Sequence, residues 1–548
     1  MKRFIALISL LLLTACAQVP ASSELRILED VEILGSGDSV RVIARPPTAD
    51  MTAVEIVEGF AAANASSSDN FAIARKYLTS RESRTWNIIS TVVIDPAQTQ
   101  VNLVSENVVE ITSVQIGQLS SDGRLTLLDT DVPFSAAFQV VRTDFGWRIE
   151  DAPRVALMTL TDVSRNYQPA TIYFTNTNYS HLVPEVVWLP RSTTSAPTAM
   201  MQTLLNGPGG TLKSALQTAI PVGTKMNLAA VFVESGRARV ELNGVPLGVG
   251  ASQKSALIAQ IVWSLTSLGG INSVEITASG QTLEVDDQKV FGRSSLRKWV
   301  PDRKVIANPF FASDQGAMTR DLIEPKAFAA LADIQSLAVS PDGSAVALVQ
   351  RGVATTSTIT DVQNRTRVAE NIVAIDYDIE NRLWLVTASG RLLVQIGVSS
   401  AIEVIGLDAD DDVVAVAPAP DGARLAVVLR TPQGQNLRLF GINSSSETLS
   451  LTRALRMERY FSDVLDVDWD SHETLVAVAR RGIEEPVVYE ISLDAAVPNP
   501  IGGPAGITSI HAAFGQPTVV TTAQGLLWYS YAGTWLSLRA AETAAYAG

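Results

Sequence analysis

The sequence predicts a multidomain protein with two α+β domains followed by an all-β propeller of five or six blades. Helix-like periodicity precedes strand-like runs in residues 50–155 and again in residues 169–291, and from about residue 325 only short strands with a recurring turn remain. The length of 548 residues allows three or four domains of about 100–200 residues each. The apolar share of 47% supplies enough side chains for their cores.

The first fifteen residues have the order of parts found in a bacterial signal peptide. Lys2 and Arg3 form a positive start, and the run Phe4–Leu13 is apolar except for Ser9. This run is too short to cross a bilayer, which takes about 20 apolar residues, but it fits the hydrophobic part of a signal peptide. We therefore predict a signal peptide at residues 1–15 and a mature chain outside the cytoplasm.

Cys16 is the single cysteine of the chain and follows Leu13, Thr14 and Ala15. This order resembles the bacterial lipobox, and the resemblance implies transfer of a diacylglyceryl group to the sulfur of Cys16 and cleavage before it. Two acyl chains on one residue suffice for stable anchoring in a bilayer, whereas one cysteine excludes an internal disulfide. We predict lipidation of Cys16 and a location on the extracytoplasmic face of the cell membrane. The alternative is an ordinary signal peptide that contains a cysteine by chance.

Residues 16–49 are predicted to be the lipidated cysteine and a tether. They are rich in Ser, Asp, Glu and Gly and end in Arg45-Pro46-Pro47. A flexible segment of this length has an r.m.s. span of roughly 30 Å. The tether therefore limits how far the folded domains reach from the membrane.

Residues 50–155 are predicted to form a small α+β domain, with helices on a sheet in an NTF2-like or cystatin-like layer. Thr52 and Glu55 have the spacing of a capping box at a first helix, and a second helix is expected over Asn70–Leu78. Strands are expected at Ser90–Ile94, Val108–Ile116, Leu125–Leu128, Ala136–Arg142 and Trp147–Glu150.

Residues 169–291 are predicted to form the second α+β domain. A helix over Thr198–Leu205 is ended by Asn206-Gly207, since glycine accepts the left-handed conformation of a helix cap. A second helix starts at Ser252 with its apolar residues on one stripe, and Gly269-Gly270 ends it. Strands are expected at Ala170–Phe174, Asn227–Glu234, Ala238–Asn243, Val274–Thr277 and Thr282–Val285.

Residues 305–540 are predicted to form the propeller. A strand–turn–strand unit recurs, with its turn at Asp342, Glu380, Asp421, His472 and, in a degenerate copy, Gly515. These turns lie 38, 41, 51 and 43 residues apart, and strand repeats of about 40–50 residues are typical of propeller blades. A sixth blade that uses Val305–Phe311 to close the ring is a further candidate.

The histidines do not predict a catalytic or metal site. His181, His472 and His511 lie far apart in the sequence, with His472 expected at a propeller turn and His511 at the start of a strand. Zinc sites usually need clustered His and Cys, so we expect structural or surface roles. The segment Gly207–Ser214 departs from a P-loop because Thr211 and Leu212 separate its glycines from the lysine, and we expect a helix-ending turn there.

Three acidic clusters resemble the start of a calcium loop, with Asp at alternate positions. They are Asp376–Glu380, Asp408–Asp412 and Asp466–Asp470. The glycine and distal glutamate of an EF-hand are missing, and two of the clusters occupy the same phase of the repeat, which favours strand residues that face solvent or cap a turn. We predict no catalytic, cofactor-binding or metal-binding residues and no cofactor. The net charge of −14 disfavours nucleic acid as a partner.

The second domain resembles the GerMN domain. The segments "TAMMQTLLNGP", "LQTAIPVGTKM", "ARVELN" and "QIVWSLTSLGGINSVEI" follow the order of that family's pattern. The resemblance implies an extracytoplasmic binding module that has no known catalytic residues.

The succession of lipobox, α+β domain, GerMN domain and propeller resembles the LpqB family of actinobacterial lipoproteins. The resemblance covers nearly all of the mature chain and implies binding to the extracytoplasmic domain of a sensor histidine kinase, that of the Mtr two-component system, in cell-envelope homeostasis and division. We therefore expect a membrane-anchored regulatory protein that is not an enzyme. The alternatives are an enzyme acting on envelope glycan or peptidoglycan through Asp376 or Asp468 in the propeller channel, and a scaffold that binds cell-wall glycan.

Overall fold

The computed structural model describes residues 45–64, 71–191, 196–210, 212–245, 250–302, 310–312, 317–320, 326–330, 333–444, 448–452, 454–457, 460–493, 498–531, 533–540 and 543–546. Cys16, the predicted signal peptide and the first part of the predicted tether lie outside these residues. All of the described residues belong to one unit that spans Arg41–Gly548. Within this described part, no helix is long and apolar enough to cross a membrane.

The first domain packs short helices against one sheet. Helix α1 (Ala53–Asn64) begins with the predicted capping box, in which the Thr52 N–H donates to Glu55 Oε2 (2.7 Å) and the Glu55 N–H donates to Thr52 Oγ1 (3.3 Å). On its buried face, the Phe60 ring packs edge-on against Trp86, with 5.3 Å between the ring centroids. A 3₁₀ turn at Ala74–Tyr77 and helix α2 (Ser80–Thr85) complete this layer.

The sheet of the first domain has the order β5-β4-β3-β1-β6, with β2 paired to β3. Strands β1 and β6 are parallel and the other pairs are antiparallel. The strands are β1 (Ser90–Ile94), β2 (Gln100–Ser105), β3 (Val108–Leu119), β4 (Leu125–Thr143), β5 (Gly146–Asp151) and β6 (Val155–Met158).

Two expectations for the first domain were wrong in detail. In place of a helix over Asn70–Leu78, whose first residue lies outside the described part, the chain makes the short 3₁₀ turn and then α2, which Thr79 caps by accepting the Glu82 N–H (3.2 Å). The two strands expected around residues 125–142 are one strand, β4, that runs through Pro133. In the described part of the chain, β5 pairs only with residues 139–143 of β4, so no strand pairs with Pro133 on that side of β4, and a missing N–H is tolerated there.

The middle domain has the expected helices. Helix α4 (Ala196–Asn206) is followed by Gly207 with a φ of 82°, and α5 (Ala251–Leu265) buries the predicted apolar stripe. The other elements are α3 (Leu160–Asn166), β7 (Tyr167–Thr175), β8 (Leu182–Pro190), β9 (Lys225–Met226), β10 (Phe232–Glu234), β11 (Arg237–Asn243), β12 (Ser273–Ala278), β13 (Gln281–Thr282) and β14 (Val290–Phe291). Strands β7 and β8 pair as a hairpin, and β10-β11-β12-β13 form a sheet with β9 on β11 and β14 on β12.

The strand expected over Asn227–Glu234 is interrupted. The chain leaves β11 between β9 and β10, and there the Val231 N–H donates to Thr198 Oγ1 (3.0 Å) on helix α4. The bond to the helix takes the place of a bond along the sheet. The expected strand over Thr282–Val285 is also shorter, because only Gln281–Thr282 pairs with β12.

The propeller has six blades in the described part of the chain, which confirms the predicted fold class. Each of five blades is a sheet of four strands that are consecutive in the chain and run from the inner to the outer edge of the blade. The third of these sheets has an additional strand that pairs with its third strand. They are β18 (Ile334–Val339), β19 (Ala345–Gln350), β20 (Val353–Thr358) and β21 (Thr366–Glu370); β22 (Ile372–Tyr377), β23 (Leu383–Thr387), β24 (Leu392–Gln395) and β25 (Ile402–Glu403); β26 (Asp412–Pro418), β27 (Arg424–Thr431), β28 (Gly434–Ser444), β29 (Leu449–Leu451) and β30 (Leu455–Arg456); β31 (Asp463–Ser471), β32 (Thr474–Arg480), β33 (Val487–Ser492) and β34 (Asn499–Gly502); and β35 (Ile507–His511), β36 (Val519–Thr522), β37 (Leu526–Tyr531) and β38 (Thr534–Ala540).

The remaining blade closes the ring with strands from both ends of the domain. Its inner strand β39 (Thr543–Ala545) pairs antiparallel with β15 (Phe310–Ala312), and β16 (Ala317–Arg320) and β17 (Lys326–Ala330) follow outward. Strand β39 also contacts β18, so the first and last parts of the ring meet. The predicted domain end at residue 540 leaves out β39; the other domain boundaries stay predictions. We number the closing blade as blade 1 and the others as blades 2 to 6 in chain order.

A buried arginine joins the first and middle domains. The Arg124 guanidinium donates from Nε to Glu185 Oε1 (2.5 Å) and from Nη2 to the Gly207 carbonyl (2.9 Å), and it also pairs with Asp122. Its side chain is 11% exposed. The interface is therefore held by charge-assisted hydrogen bonds that little solvent reaches.

Candidate functional site

The inner strands of the propeller enclose a cavity of about 970 Å³. Residues of β18, β22, β26, β31, β35 and β39 line it, and this volume lies within the range typical of ligand pockets. Near the turns that follow the inner strands, His181 of the middle domain and the segment Pro301–Asp302 complete the wall. This channel is the candidate functional site.

Three of the carboxyl groups that line the channel lie on its inner strands. Asp466 Oδ2 accepts the Ile510 N–H (2.9 Å) and Asp468 Oδ2 accepts the Ala512 N–H (2.7 Å), so these two side chains connect the inner strands of blades 5 and 6. Asp376, on blade 3, accepts the N–H of its neighbour Tyr377 at Oδ1 (2.8 Å). We call these three residues the channel carboxyls.

The channel carboxyls hold protons more tightly than exposed aspartates do. Burial raises the pKa of Asp466 and that of Asp468 to about 7, because desolvation disfavours the charged form. Burial, followed by the negative charge of Asp468, raises the pKa of Asp376 well above its usual range. Burial lowers the pKa of His511 to about 4, so this neighbouring ring is neutral at pH 7. Among the described residues that line the cavity there is no lysine or arginine.

The carboxylates at the blade turns have cationic partners instead. Arg382 Nε donates to Asp378 Oδ2 (2.5 Å), and Arg424 donates to Asp421 Oδ2 through Nε (2.8 Å). In both ion pairs, each side chain is at most 5% exposed. We call these two ion pairs the turn pairs.

Each turn pair also bonds to the next blade. Arg382 Nη2 donates to the Gly422 carbonyl (3.3 Å), and Arg424 Nη2 donates to the His472 carbonyl. The Arg424 guanidinium lies 4.8 Å from the Trp469 ring centroid, in cation–π geometry. The turn pairs therefore tie blades 3, 4 and 5 together.

The middle domain lies on the turns of blades 3 to 5. Asn178 Nδ2 donates to Glu380 Oε1 (3.0 Å), and the Tyr173 hydroxyl lies 3.2 Å from His472 Nε2. Asp302 accepts the His472 N–H at Oδ1 (2.7 Å) and contacts Nδ1 of the same ring through Oδ2. A His472 ring that donates from Nδ1 to Asp302 accepts the tyrosine hydroxyl at Nε2. We call Tyr173, Asn178, His181 and Asp302 the cap.

The histidines occupy three different environments. His472 is buried in the contact with the cap, and His181 Nδ1 lies 2.8 Å from Ser180 Oγ at the cavity wall. The expectation that His511 begins a strand was wrong: it ends β35 and lines the channel. The degenerate repeat is recognisable only from Ile510 onward, whereas the strand itself starts at Ile507.

The predicted acidic clusters separate into different roles. In the cluster Asp408–Asp412, Asp411 pairs with Arg438 (3.3 Å) and Asp412 pairs with Arg430 (2.6 Å). Among the described residues, no group of three or more His, Cys, Asp or Glu side chains has an arrangement that could hold a metal ion. The sequence did not predict Tyr173, Asp302 or the two turn arginines as interface residues. The sequence spacing could have indicated the turn arginines, since each follows its turn aspartate within four residues. No sequence pattern indicated the contacts of the cap.

The comparisons with known proteins follow the same domain order. The model described as "Lipoprotein LpqB, N-terminal domain" matches residues 46–164, "Sporulation and spore germination" matches residues 171–284, and "Lipoprotein LpqB beta-propeller domain" matches residues 317–545. Among solved structures, TolB from Acinetobacter baumannii is 13% identical with a TM-score of 0.36, covering 56% of this chain and 75% of its own.

Two of the matching curated relatives align with this chain over nearly their whole length. Lipoprotein LpqB of Cutibacterium acnes is 23% identical, and the alignment covers 96% of this chain and 95% of the relative. Lipoprotein LpqB of Streptomyces avermitilis is 24% identical, with 97% and 95% covered. The three domain matches and these relatives show that the chain belongs to the LpqB family of lipoproteins.

Proposed function

We propose that this protein is a lipid-anchored regulator on the extracytoplasmic face of the cell membrane, attached through diacylglyceryl-Cys16. The protein binds the extracytoplasmic domain of a sensor histidine kinase. The family resemblance points to the kinase of the Mtr system and to cell-envelope homeostasis and division. The name lipoprotein, which the relatives carry, supports the anchor.

The observation that carries the proposal is the joining of the domains. The Arg124 contacts link the first domain to the middle domain, and the Asp302–His472–Tyr173 contacts link the middle domain to the propeller. Domains held in this way present one fixed surface to a partner. A fixed surface can favour one conformation of a kinase over another, and a binder shifts such an equilibrium only by its difference in affinity for the two states.

Binding and kinase output test the proposal separately. The lipid-free chain from residue 17 onward should bind the purified extracytoplasmic domain of the kinase in calorimetry. The full chain should change kinase autophosphorylation in cells, and Cys16→Ala should remove this effect by releasing the protein from the membrane. If the lipid-free chain does not bind and the Cys16→Ala strain has normal output, the proposal is wrong.

A cap variant serves as a matched control for the role of the fixed surface. Tyr173→Phe with Asp302→Asn weakens the junction between the middle domain and the propeller without changing the exposed faces of either. If regulation needs the fixed arrangement, this variant should keep most of its affinity for the kinase but change kinase output less than the wild-type protein does.

The channel carboxyls favour a second candidate function, an enzyme acting on envelope glycan. Asp376 and Asp468 interact electrostatically across the lumen, and carboxyls whose pKa is raised can act as general acids. Purified protein should then release fragments from peptidoglycan or arabinogalactan, and Asp376→Asn with Asp468→Asn should abolish the release. Binding of the same glycans without release would instead favour a glycan-binding scaffold.

A further inference from the structure

The channel differs from the rest of the propeller in how its negative charge is balanced. The buried turn aspartates, Asp378 and Asp421, each have a guanidinium within hydrogen-bond distance. The channel carboxyls have backbone N–H partners only, and none of the described lining residues is a lysine or an arginine. The cavity therefore contains several carboxyl groups, and its described lining supplies no lysine or arginine to balance them when they ionise.

Asp376 is the least satisfied of the channel carboxyls. Its Oδ1 accepts one hydrogen bond, from the adjacent N–H, and in the described part of the chain its Oδ2 has no partner. The half-buried side chain lines the cavity, and desolvation there disfavours its ionised form. The Oδ2 atom of Asp376 therefore has space beside it for a hydrogen-bond donor from outside the chain, and a positively charged donor would stabilise the ionised carboxylate.

The wall between the carboxyls is partly apolar. Leu337 and Ile375 on blades 2 and 3, Val416 on blade 4 and Ile510 on blade 6 line the same cavity. A ligand that carries charge at separate points along a hydrocarbon stem matches such a wall, since the stem packs on apolar side chains while the charged ends reach the carboxyls.

We infer that the channel binds an organic cation whose primary ammonium groups are joined by an aliphatic stem. A free polyamine and the lysine side chains of a peptide share this chemistry. A divalent metal ion does not fit as well, because no three acidic or histidine groups among the described residues converge on one point. The inference is independent of kinase binding and names a ligand for the channel itself.

Proton release gives this inference a specific signature. Among the described residues, the titratable groups that line the cavity are Asp376 and Tyr377 on blade 3, Asp466 and Asp468 on blade 5, His511 on blade 6 and Tyr546 after β39, with His181, Asp302, Asp342 and the paired Asp378 near the turns. Blade 4 contributes none to the wall. An ammonium ion favours the ionised form of a carboxyl, so binding near pH 7 should expel protons from groups that are partly protonated there. Affinity should rise from pH 6 to pH 8.

Titration calorimetry with cadaverine, spermidine and trilysine as probes tests the inference on the folded chain from residue 17 onward. We expect saturable binding at pH 8 and low salt. We also expect proton release on binding at pH 7, which is measured by comparing the binding enthalpy in buffers of different ionisation enthalpy. Pentanediol, which has the stem without the charge, should not bind. A preference for spermidine over trilysine identifies a free polyamine as the source, and the reverse identifies a peptide.

The matched variants remove the same charge at two places. Asp376→Asn with Asp468→Asn should weaken binding at least tenfold, whereas Asp410→Asn, at an exposed loop position, should leave it unchanged. If the double variant does not fold, Asp376→Asn alone is used, since it retains the single hydrogen bond of the native residue. Absence of saturable binding, binding without proton release, equal binding by the variants, or a preference for Ca²⁺ would overturn the inference. Kinase binding by the same protein sample would be unaffected by any of these results.

Discussion

Asp376 and Asp378 lie two residues apart in the same blade, yet their surroundings are opposite. Asp378 accepts hydrogen bonds from Arg382 and from the Trp384 indole (2.8 Å), and it is fully enclosed. Asp376 faces the cavity, has no cationic partner in the described part of the chain, and has a raised pKa. The comparison teaches that one acidic motif can contain a structural residue and a residue available to a ligand.

The turn of blade 5 is a third case. It has no in-turn aspartate–arginine pair, and His472 occupies the turn position. The carboxylate comes instead from Asp302, which lies outside the ring and accepts the His472 N–H. Blades 3 and 4 thus supply the carboxylate at their turns themselves, whereas in blade 5 the cap supplies it.

The largest effect is expected when a turn pair loses its cation. Arg424→Met should lower the free energy of unfolding by about 3–5 kcal/mol, because it leaves Asp421 buried and unpaired. Denaturant unfolding followed by fluorescence measures this difference.

The matched control for that variant is Arg430→Met. Arg430 pairs with Asp412 at 2.6 Å, but its side chain is 57% exposed, and exposed pairs contribute about 0–1 kcal/mol. Equal losses in the two variants would contradict the distinction between buried turn pairs and surface pairs.

Removing the carboxylate of the cap should have the next largest effect. Asp302→Ala leaves the buried His472 N–H and ring nitrogen without their acceptor, which costs about 1–3 kcal/mol. Hydrogen exchange should increase at the blade 5 turn and at the adjacent middle domain, and remain unchanged at the turn of blade 2, where Ser340 and Ser344 donate to Asp342. Protection that is lost evenly over the whole propeller would argue against a local role.

A channel carboxyl, unlike a turn pair, should lower the stability of the protein at neutral and higher pH. Its folded-state pKa is raised, so its contribution to stability is complete below the unfolded pKa of about 4 and is lost as the pH rises through the folded pKa. Asp376→Asn should therefore stabilise the protein at pH 8, because burial raises the pKa of Asp376, and have little effect near pH 4. Unfolding measured at several pH values would contradict this if the gain did not grow with pH.

The smallest effect is expected for a hydroxyl at the cap. Tyr173→Phe removes one hydrogen bond to His472 and should cost about 0.5–1.5 kcal/mol. Because Asp302 still holds His472, the junction should remain closed to limited proteolysis. Cleavage of the native-like protein in the segment after Pro301 would show that the hydroxyl matters more than its single bond indicates.

The sequence predicted those features that local chemistry determines. The capping box at Thr52, the apolar stripe of α5 and the five repeated turns depend on residues close in the chain, and the structure contains each of them. The sixth blade was only a candidate, because β15 and β39 are 3 residues each and pair over more than two hundred positions. No periodicity in a short segment indicates such a distant partner.

The candidate site was predictable only in part. The acidic clusters were visible, but spacing alone did not separate Asp376 from Asp378, since charge balance depends on which arginine the fold brings near. The contacts of Asp302 and Tyr173 with His472 join positions 170 and 299 residues apart, and their residue types are ordinary for loops and strands. Lipidation of Cys16 stays a prediction.

The closing strand has a consequence for the order of events in biogenesis. Phe310 pairs with Ala545, so a chain threaded across a membrane from its N-terminus exposes β15 well before the strand that completes its sheet emerges. Contacts this distant in sequence form slowly, because the intervening loop must first be closed. Until then, the edge of β15 is an unpaired strand of the kind that invites wrong pairing. Export, which the proposed extracytoplasmic location requires, would therefore include an interval in which the propeller is open, and a chaperone that shields strand edges would act during that interval.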